Sequence, residues 1–416
     1  MTPHLYRANR PAAFWRLTGE PQPTDAEWAS AIETAARVLP AAARGADIDA
    51  VLNNTLGEGQ FGPDHWELSL ARKVYYNIKP VVPRPLSRRL RQLRRKGMEI
   101  ESPLGWPVEP RYAEFVWGVM RHLLEGSGRD ELPFIHFWPR GRRFGMVLTH
   151  DVETAEGQTH VQRLADLEAD YGFRSSFNFV PDRYRLDRQL IDSLRSRGFE
   201  IGIHGLQHDG KLFSSRARFM RSAVRINAYL KSLEAVGFRA PLTQRQPEWM
   251  QALAIEYDLS FFDTDPFEPI PGGTMSIWPF EIGHFVELPY TLVQDYTLTA
   301  VLGETTPRIW LEKLDFIEAY CGLALVGTHP DYLREPANWR LYEQFLRAVR
   351  GRAAPYWHAL PRDIARWWRA RRLTATVERL RGGVLGTISL DHGGGNSRIS
   401  ISTSEDQTVT HPIEGR

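Results

Sequence analysis

The chain has 416 residues, of which 42% are hydrophobic and 25% are charged, and this composition is ordinary for a globular protein. The length suits two domains, or one barrel-sized domain with extensions. The formal net charge of +2 is too small to point to a particular partner, and we expect no binding to nucleic acid. The single cysteine, Cys321, excludes an internal disulfide framework and a metal site built from paired cysteines.

Targeting and membrane signals are not found in the sequence. The first residues lack the apolar core of a secretory signal, and no run of roughly eighteen apolar residues predicts a membrane-spanning helix. The expected location is therefore the cytoplasm. The sequence leaves the oligomeric state open.

Residues 1–142 are predicted to form a mainly helical region that prolines interrupt. Thr24 can cap a helix in which Glu27 completes a capping box, and apolar residues continue at helical spacing over 29–39. A second helix is predicted over 65–77, and the prolines of 80–85 break it. This region contains no catalytic motif.

A strongly basic segment, 84–96, begins with Arg84 and ends with Lys96. One interpretation is a patch for a membrane surface, a lipid phosphate or an acidic sugar, which would make the protein peripheral to a membrane. The other is a solvated helix that packs its leucines on the rest of the protein. We favour the second, because runs of charge are usually solvated faces.

From Phe144 to about Arg371, short apolar runs alternate with helical stretches, which predicts βα units on a parallel sheet. The predicted strands are 146–149, 175–180, 200–204, 261–263, 285–288 and 323–327. The predicted helices are 161–171, 188–197, 214–234, 247–257, 307–320 and 339–350, with a closing helix over 361–372. About six βα steps in this length predict an α/β fold with a barrel-like sheet.

The end of the chain, 382–416, is rich in glycine, serine and threonine. Apolar and polar residues alternate over 387–390 and 398–402, which is compatible with a weak hairpin, and a flexible tail is at least as good an interpretation. We therefore expect a catalytic domain over 143–372, between the N-terminal region and a tail over 373–416.

The stretch 146–153 is an apolar run that ends in Thr149, His150, Asp151 and Glu153. It predicts a buried strand whose carboxyl end delivers two acids to a site, as strand ends do in α/β folds. Asp151 and Glu153 are two positions apart, so an extended backbone points both to the same side. Two carboxylates held together repel each other, and a metal ion would neutralise that repulsion.

A second strand, 200–204, runs into His204, and His208 follows in a loop between two glycines. The spacing of four residues occurs in many zinc sites. The stretch lacks the glutamate after the first histidine that the helical metalloprotease signature requires, so we exclude that signature. Either histidine alone would more simply be structural, but the pair, beside an acidic strand end, predicts metal binding.

Two further elements end in residues suited to catalysis. Arg239, in Arg239-Ala-Pro241, could reach a carboxylate at a strand end, although a surface turn is the better interpretation of this tripeptide alone. His329 follows the predicted strand 323–327, where it could act as a general acid or be a structural histidine.

The acids that could orient His329 are Asp263, Asp265 and Asp295, and we favour Asp295. Aromatic residues near these stretches could stack on a sugar ring, although each is individually as well explained by packing. They are Trp249, Phe267, Trp278, Tyr290 and Tyr332, of which Tyr290, Tyr332 and Trp249 are the preferred candidates for substrate binding.

Taken together, these elements resemble the polysaccharide deacetylase family, the NodB-homology domain of carbohydrate esterase family 4, over roughly 143–371. The stretch 149–153 is similar to the first family motif, usually Thr-Phe-Asp-Asp, and 204–208 to the second, His-x-x-x-His. The stretch 239–241 is similar to the third motif and 326–329 to the last. The fourth motif, an Asp with a Trp, has no clean counterpart. The resemblance implies a distorted (β/α) barrel of the NodB type.

The resemblance also implies roles for individual residues. Asp151 would be the catalytic base, Arg239 would hold it, and His329 would be the general acid. In the family an acid of the first motif and the two histidines hold a divalent metal, expected to be zinc. Because Val152 replaces the usual second Asp, the ligands here would be Glu153, His204 and His208.

The function implied is metal-dependent hydrolysis of an N-acyl group, in the first place acetyl, on a carbohydrate polymer or precursor. Three alternatives are open at this point. The protein could be a deformylase or deacylase of a lipid-linked amino sugar, with 84–96 facing the membrane. It could be a catalytically silent carbohydrate-binding homologue, because Val152 breaks the motif. It could also be a non-haem iron oxygenase, which uses two histidines and one carboxylate, although those are not βα proteins.

Overall fold

The computed structural model of the protein describes residues 3–63, 65–67, 101–371, 385–391, 397–403 and 409–410. The strands are β1 (Glu131–Ile135), β2 (Phe144–Val152), β3 (Ser176–Phe179), β4 (Glu200–Ile203), β5 (Gly237–Phe238), β6 (Tyr257–Asp258), β7 (Phe280–Ile282), β8 (Phe285–Glu287), β9 (Leu323–Thr328), β10 (Tyr356–His358), β11 (Leu385–Asp391), β12 (Arg398–Thr403) and β13 (Val409–Thr410). The α-helices are α1 (Pro11–Trp15), α2 (Asp25–Ala35), α3 (Ile48–Thr55), α4 (Arg111–Ser127), α5 (Ala155–Asp170), α6 (Arg188–Ser196), α7 (Arg216–Ser232), α8 (Pro247–Met250), α9 (Arg308–Ala319), α10 (Pro330–Leu333), α11 (Pro336–Arg350) and α12 (Pro361–Ala370).

The larger sheet curls into a distorted (β/α) barrel, as predicted. Its strand order is β10-β2-β3-β4-β5-β6-β8-β7, and β9 pairs with the other edge of β2. Every strand pair in it is parallel except β7 with β8. A parallel bridge from Leu292 to Val326 of β9 brings the chain that follows β8 back to the first strands. The sheet therefore closes on itself through this irregular segment.

Strand β2 is the centre of the barrel. All nine of its residues are buried, because β9 covers one edge, β3 and β10 share the other, and helices cover the sheet. Such a strand reads as a continuous apolar run rather than as an alternating one. The same burial surrounds the polar residues at its carboxyl end, so each of them must find a partner inside the protein.

Most predicted elements of the barrel are present, with bounds that differ by a few residues. The strand predicted over 261–263 is wrong: β6 lies earlier, and only Phe262 forms a bridge, to Tyr290. The helix predicted over 247–257 is also wrong beyond Met250. The amide of Asn227 on α7 donates to the carbonyl of Ala252 and accepts from the backbone of Ala254, which ends the helical pattern there.

The N-terminal region is helical where it is described. Thr24 and Glu27 form the predicted capping box, because the Thr24 hydroxyl accepts from Glu27 N and the Glu27 carboxylate accepts from Thr24 N. Helix α2 ends at Ala35, earlier than predicted. The predicted helix 65–77, apart from its first three residues, and the basic segment 84–96 lie outside the described residues. None of the helices in the described ranges is long and apolar enough to span a membrane.

The predicted hairpin near the end of the chain is confirmed. Strands β11 and β12 pair antiparallel, and a second sheet of order β1-β11-β12-β13 joins them to the N-terminal region. Ile388 of β11 and Ile401 of β12 are register partners, and both side chains are fully buried. The flexible-tail interpretation is therefore wrong for these strands, because an alternating apolar face is buried.

A buried ion pair joins the N-terminal region to the barrel. Both carboxylate oxygens of Glu58 accept from Arg245, at 2.6 Å from Nε and 2.5 Å from Nη2, and neither side chain is exposed. Burial raises the pKa of Glu58, but the Arg245 charge outweighs it and the pKa falls to about 2. Arg245 also donates to the carbonyl of Thr243 and lies 4.5 Å from the ring centroid of Phe262.

We expect Glu58→Ala to destabilise the protein by about 3–5 kcal/mol, because removing one partner leaves a buried guanidinium without a counter-charge. The measurement is urea unfolding at pH 7. The control is Glu312→Ala, which removes an exposed ion pair with Arg308 and should cost less than about 1 kcal/mol. Equal effects of the two substitutions would show that the buried pair is not a structural link.

A pair of carboxyl groups also lies beneath the rim of the barrel. Asp258 and Glu287 are register partners on β6 and β8, both are fully buried, and they are hydrogen-bonded to each other. Burial raises the pKa of each, and the Asp258 charge raises that of Glu287 further. The folded protein therefore keeps a proton that the unfolded chain loses above about pH 4.3.

Stability should consequently fall as pH rises above that value, because deprotonation leaves two buried anions side by side. Glu287→Gln keeps a donor towards Asp258 without a second charge. We expect this variant to gain stability relative to the unsubstituted protein between pH 5 and about 8. Urea midpoints at several pH values measure the effect, and the exposed-site variant Glu312→Gln should run parallel to the unsubstituted protein. Parallel profiles for Glu287→Gln would contradict the shared proton.

Candidate active site

Four parallel strands carry the predicted site residues to one rim of the barrel. Asp151 and Glu153 stand at the end of β2, His204 directly follows β4, Arg239 follows β5, and His329 follows β9. The carboxyl ends of parallel strands meet at the same edge of a sheet, which is where ligands bind in α/β folds. Residues far apart in the chain therefore surround one small space.

The three predicted metal ligands form one cluster. Ligand atoms of Glu153, His204 and His208 all lie within 4.8 Å of one another. His208 Nε2 is 3.0 Å from Glu153 Oε1, and the two imidazole rings are 5.0 Å apart between centroids. Gly205 has a φ of 63° and His208 one of 54°, so the loop turns back sharply. This turn returns the second histidine to the first.

The donor atoms suit a divalent metal. His204 Nδ1 lies 3.1 Å from the carbonyl of Arg239, so it carries the proton, while the buried Nε2 has no partner among the described residues. Burial lowers the pKa of His204 to about 4, which keeps the ring neutral, as a ligand must be. Burial raises the pKa of Glu153, but His208 outweighs this effect and the pKa lies well below its usual value. Two imidazoles and a carboxylate form a common zinc site.

The expected shift of one residue in the first motif agrees with the geometry. Val152 is fully buried, and its carbonyl accepts from the Tyr184 hydroxyl. Glu153 follows it, and its backbone N–H donates to Asp331 Oδ2 at 3.2 Å. Asp331 also accepts from the hydroxyl of Thr154. These bonds hold the turn after β2 with the Glu153 side chain beside the histidines.

Asp151 is buried and held from two sides. Arg239 Nε lies 3.2 Å from Oδ2, and Asn178 Nδ2 donates to Oδ1 at 2.9 Å. Burial raises the pKa of Asp151, but the positive charge of Arg239, with those of nearby histidines, outweighs it and lowers the pKa. The carboxylate is therefore anionic at neutral pH.

Arg239 is 1% exposed, so the surface-turn interpretation of Arg239-Ala-Pro241 is wrong. Its guanidinium passes close to Gly327 of β9, where a Cβ atom would lie 2.5 Å from Nη1. Nη1 also lies 3.4 Å from the hydroxyl of Thr149. The strand predicted around Gly327 thus needs a glycine at this position to let the arginine reach Asp151.

His329 is oriented by Asp295, the acid that the sequence favoured. Its Nδ1 lies 2.7 Å from Asp295 Oδ1, and its backbone N–H donates to Oδ2 at 2.9 Å. Nε2 then faces the cluster, 3.7 Å from Glu153 Oε1. Burial lowers the pKa of His329, but Asp295 outweighs it and the pKa rises to about 10. The other two candidates have other partners: Asp263 binds Lys313, and Asp265 accepts from Tyr290.

The three predicted substrate-binding aromatics lie in different surroundings. Tyr332 is half-buried, with its ring centroid 5.1 Å from that of His329. Tyr290 is 1% exposed, and its hydroxyl faces the carboxylates of Asp265 and Glu268. Trp249 packs against Phe213 and Phe219. Their roles in binding stay predictions.

Two residues of the site were missed in the sequence. Asn178, which donates to Asp151, is a polar residue within the predicted strand 175–180 and could have been found by the strand-end reasoning used for Asp151. Asp331 follows His329 by two positions, but nothing in the sequence indicates that it binds the turn after β2. That contact joins segments 178 residues apart.

We expect protein freed of metal by a chelator to take up one Zn²⁺ per chain. The buried Nε2 of His204 has a free lone pair that can bind the metal directly. His204→Ala should therefore weaken Zn²⁺ binding by more than the roughly 10–100-fold that is lost when a residue hydrogen-bonded to a metal ligand is removed. Titration calorimetry with Zn²⁺ and metal analysis measure both expectations. The control is His284→Ala, which removes an exposed histidine on the β7–β8 turn. Uptake that His204→Ala leaves unchanged would rule out this cluster as the site.

Comparisons with known proteins were made by sequence and by structure. No protein-family model matches the sequence, and no curated protein matches it. Among solved structures, a protein from Mycobacterium smegmatis assigned as a polysaccharide deacetylase is 20% identical, with a TM-score of 0.48, over 58% of this chain and 95% of that one. The Puue allantoinase is 17% identical, with a TM-score of 0.46, over 56% and 92%.

A Pseudomonas aeruginosa PAO1 protein assigned as a polysaccharide deacetylase is 18% identical, with a TM-score of 0.45, over 56% of this chain and 93% of its own. Identities and TM-scores this low carry no argument about activity, which is inferred from the geometry of the site. The structures similar to this chain thus include polysaccharide deacetylases, the family whose motifs its sequence resembles.

Proposed function

We propose that this protein is a metal-dependent hydrolase that removes an N-acyl group, in the first place acetyl, from a carbohydrate. One observation carries the proposal. A three-ligand cluster lies between a buried carboxylate paired with arginine, Asp151, and a buried histidine paired with a carboxylate, His329. Hydrolysis of an amide needs a base for water and an acid for the leaving amine, and these two residues have the matching charges.

The residues that would hold the metal are Glu153, His204 and His208. When bound there, a divalent metal, expected to be zinc, polarises an acyl carbonyl and lowers the pKa of a water molecule. Three protein ligands leave room for both, as catalytic zinc sites do.

Asp151 accepts a proton from the attacking water, because Arg239 keeps its carboxylate ionised and Asn178 fixes one of its oxygens. A carbon–oxygen bond forms and the carbon–nitrogen bond of the amide breaks. His329 is protonated at neutral pH and, with Nδ1 bound to Asp295, has only Nε2 to offer the leaving nitrogen. The products are a carboxylate such as acetate and a free amino sugar.

The alternatives have less support. A catalytically silent binding protein would not need the lowered pKa of Asp151 or the raised pKa of His329. Glu153 also supplies the carboxylate that Val152 lacks. In a non-haem iron oxygenase, Asp151 and His329 would have no role as base and acid. The deformylase alternative uses the same scaffold and places the segment 84–96 against a membrane, and that segment lies outside the described residues.

We expect the zinc-loaded protein to release acetate from N-acetylated sugars, and a chelator to abolish the release. Asp151→Asn and His329→Gln should each lower kcat by about 10²-fold or more while keeping bound zinc, because neither residue is among the three ligands. Acetate assays with metal analysis on the same samples separate the two effects.

A matched control is Asp192→Asn, which removes an exposed carboxylate on α6 and should leave kcat unchanged. Full activity of Asp151→Asn with bound zinc would show that the base is assigned wrongly. If no N-acylated sugar reacts with the loaded protein, the hydrolase proposal itself fails.

A further inference from the structure

A surface groove of about 670 Å³ lies between the segment that follows β3 and helix α7. Its volume is within the range of small-molecule sites. Tyr184, Arg185, Arg188 and Tyr229 are among its lining residues, and we call this space the arginine groove. None of the roles assigned above to the rim residues explains it.

The arginine groove begins next to the site. The hydroxyl of Tyr184 donates to the carbonyl of Val152, and the next residue is the metal ligand Glu153. The backbone N–H of Val180, at the end of β3, also lies 3.4 Å from that hydroxyl. Tyr184 is thus anchored to the barrel rim by its hydroxyl, one residue from Glu153, and its ring lines the groove.

A second, smaller cavity of about 120 Å³ lies against the cluster histidine His208. His208, Arg218 and Arg225 are among its lining residues. Asp182 joins one lining residue of each space: one of its oxygens lies 2.6 Å from Arg225 of the smaller cavity, and the other accepts from Tyr229 of the groove at 2.7 Å. Arg218, Arg225 and Tyr229 are spaced by seven and four residues, so they share one face of α7. Both cavities therefore follow this face.

The uncompensated charge of the groove is positive. Arg218 and Arg225 are paired with Asp209 and Asp182. Arg185 and Arg188, by contrast, are exposed, and no ion pair with another residue in the described ranges involves them.

Asp187, which lies between these two arginines in the sequence, also lines the groove, so two positive charges face one negative charge there. Asp187 is the N-cap of α6, and its carboxylate accepts from the backbone of Leu190 at 3.1 Å. Gln158 of α5 holds the loop from outside, accepting from Asp187 N at 3.0 Å and donating to the carbonyl of Arg185 at 3.2 Å. The end of the loop that carries Arg185 and the start of α6 that carries Arg188 are therefore held by these bonds within the protein.

The groove also offers aromatic faces suited to sugar rings. The hydroxyls of Tyr184 and Tyr229 are both occupied by protein acceptors, which orients the rings. Aromatic rings provide a flat apolar surface against which a sugar can pack. Two arginines beside two tyrosines fit a saccharide that carries negative charge, because guanidinium groups bind carboxylates by paired hydrogen bonds.

We propose that the substrate is an acidic saccharide chain, with its acyl group at the metal cluster and a carboxylate-bearing sugar unit in the arginine groove, bound by Arg185 and Arg188. This inference rests on the proposed function, since that function places the acyl group at the cluster. It answers a question that the motifs leave open, namely whether the substrate extends beyond one sugar.

The test compares two tetrasaccharides that both carry N-acetyl groups. One is a hyaluronan tetrasaccharide, which has glucuronate carboxylates, and the other is neutral chitotetraose. Binding to zinc-loaded Asp151→Asn protein is measured by calorimetry, so that hydrolysis does not interfere. We expect the acidic probe to bind more tightly at low salt and the difference to shrink at high salt. Adding Arg185→Gln with Arg188→Gln should weaken the acidic probe roughly five- to tenfold and leave the neutral one unchanged.

The matched control adds Arg183→Gln with Arg340→Gln, which removes the same charge from two exposed residues that line neither cavity. Equal affinities for the two probes, no binding of either, or equal effects of the two arginine pairs would overturn the groove assignment. Those outcomes, with acetate release intact in the unsubstituted enzyme, would leave the hydrolase proposal standing. Loss of acetate release from every sugar tested would instead refute the hydrolase, and with it the placement of the acyl group.

Discussion

The ion pair between Asp151 and Arg239 is the interaction on which the rest of the site depends. A buried carboxylate with no partner would be protonated or would cost several kcal/mol, and neither state suits a base. The pair forms because Gly327, on the strand that β2 pairs with, leaves room for the guanidinium. With Asp151 neutralised in this way, Glu153 and His329 can approach the same space without an excess of one charge. The buried guanidinium therefore offsets part of the negative charge beside the cluster of Glu153, His204 and His208.

The N-terminal region takes part in holding the site, although none of its described residues reaches the cluster. Glu58 binds Arg245, and the neighbouring Gln244 donates to the carbonyl of Gly210 at 3.3 Å. Gly210 closes the loop that contains His208. A buried ion pair at one end of this short chain of contacts thus supports the loop that carries His208, a predicted metal ligand, at the other. Helical residues with no catalytic motif still contribute to the geometry of the site.

Much of the site could be predicted because strand ends are local features of a sequence. The run 146–149, the two-residue step from Asp151 to Glu153 and the histidines after two other strands are readable without knowledge of any contact. Parallel strands then bring these positions together whatever the rest of the chain does. The role of Glu153 in place of the usual acid, where this chain has Val152, came from the resemblance to the family and stays a prediction.

The sequence by itself determined the barrel, the strand ends and the residue types at the rim, because these follow from the period and composition of short segments. It did not determine that α8 ends at Met250, where Asn227 of α7 binds the chain that follows. Nor did it determine that 261–263 forms only a single bridge, from Phe262 to Tyr290, in place of a strand. Nor could it choose with certainty between Asp263, Asp265 and Asp295 as the partner of His329. Only the tertiary structure decided these, because a long-range partner is selected by closure of the barrel and not by the residues beside it in the chain.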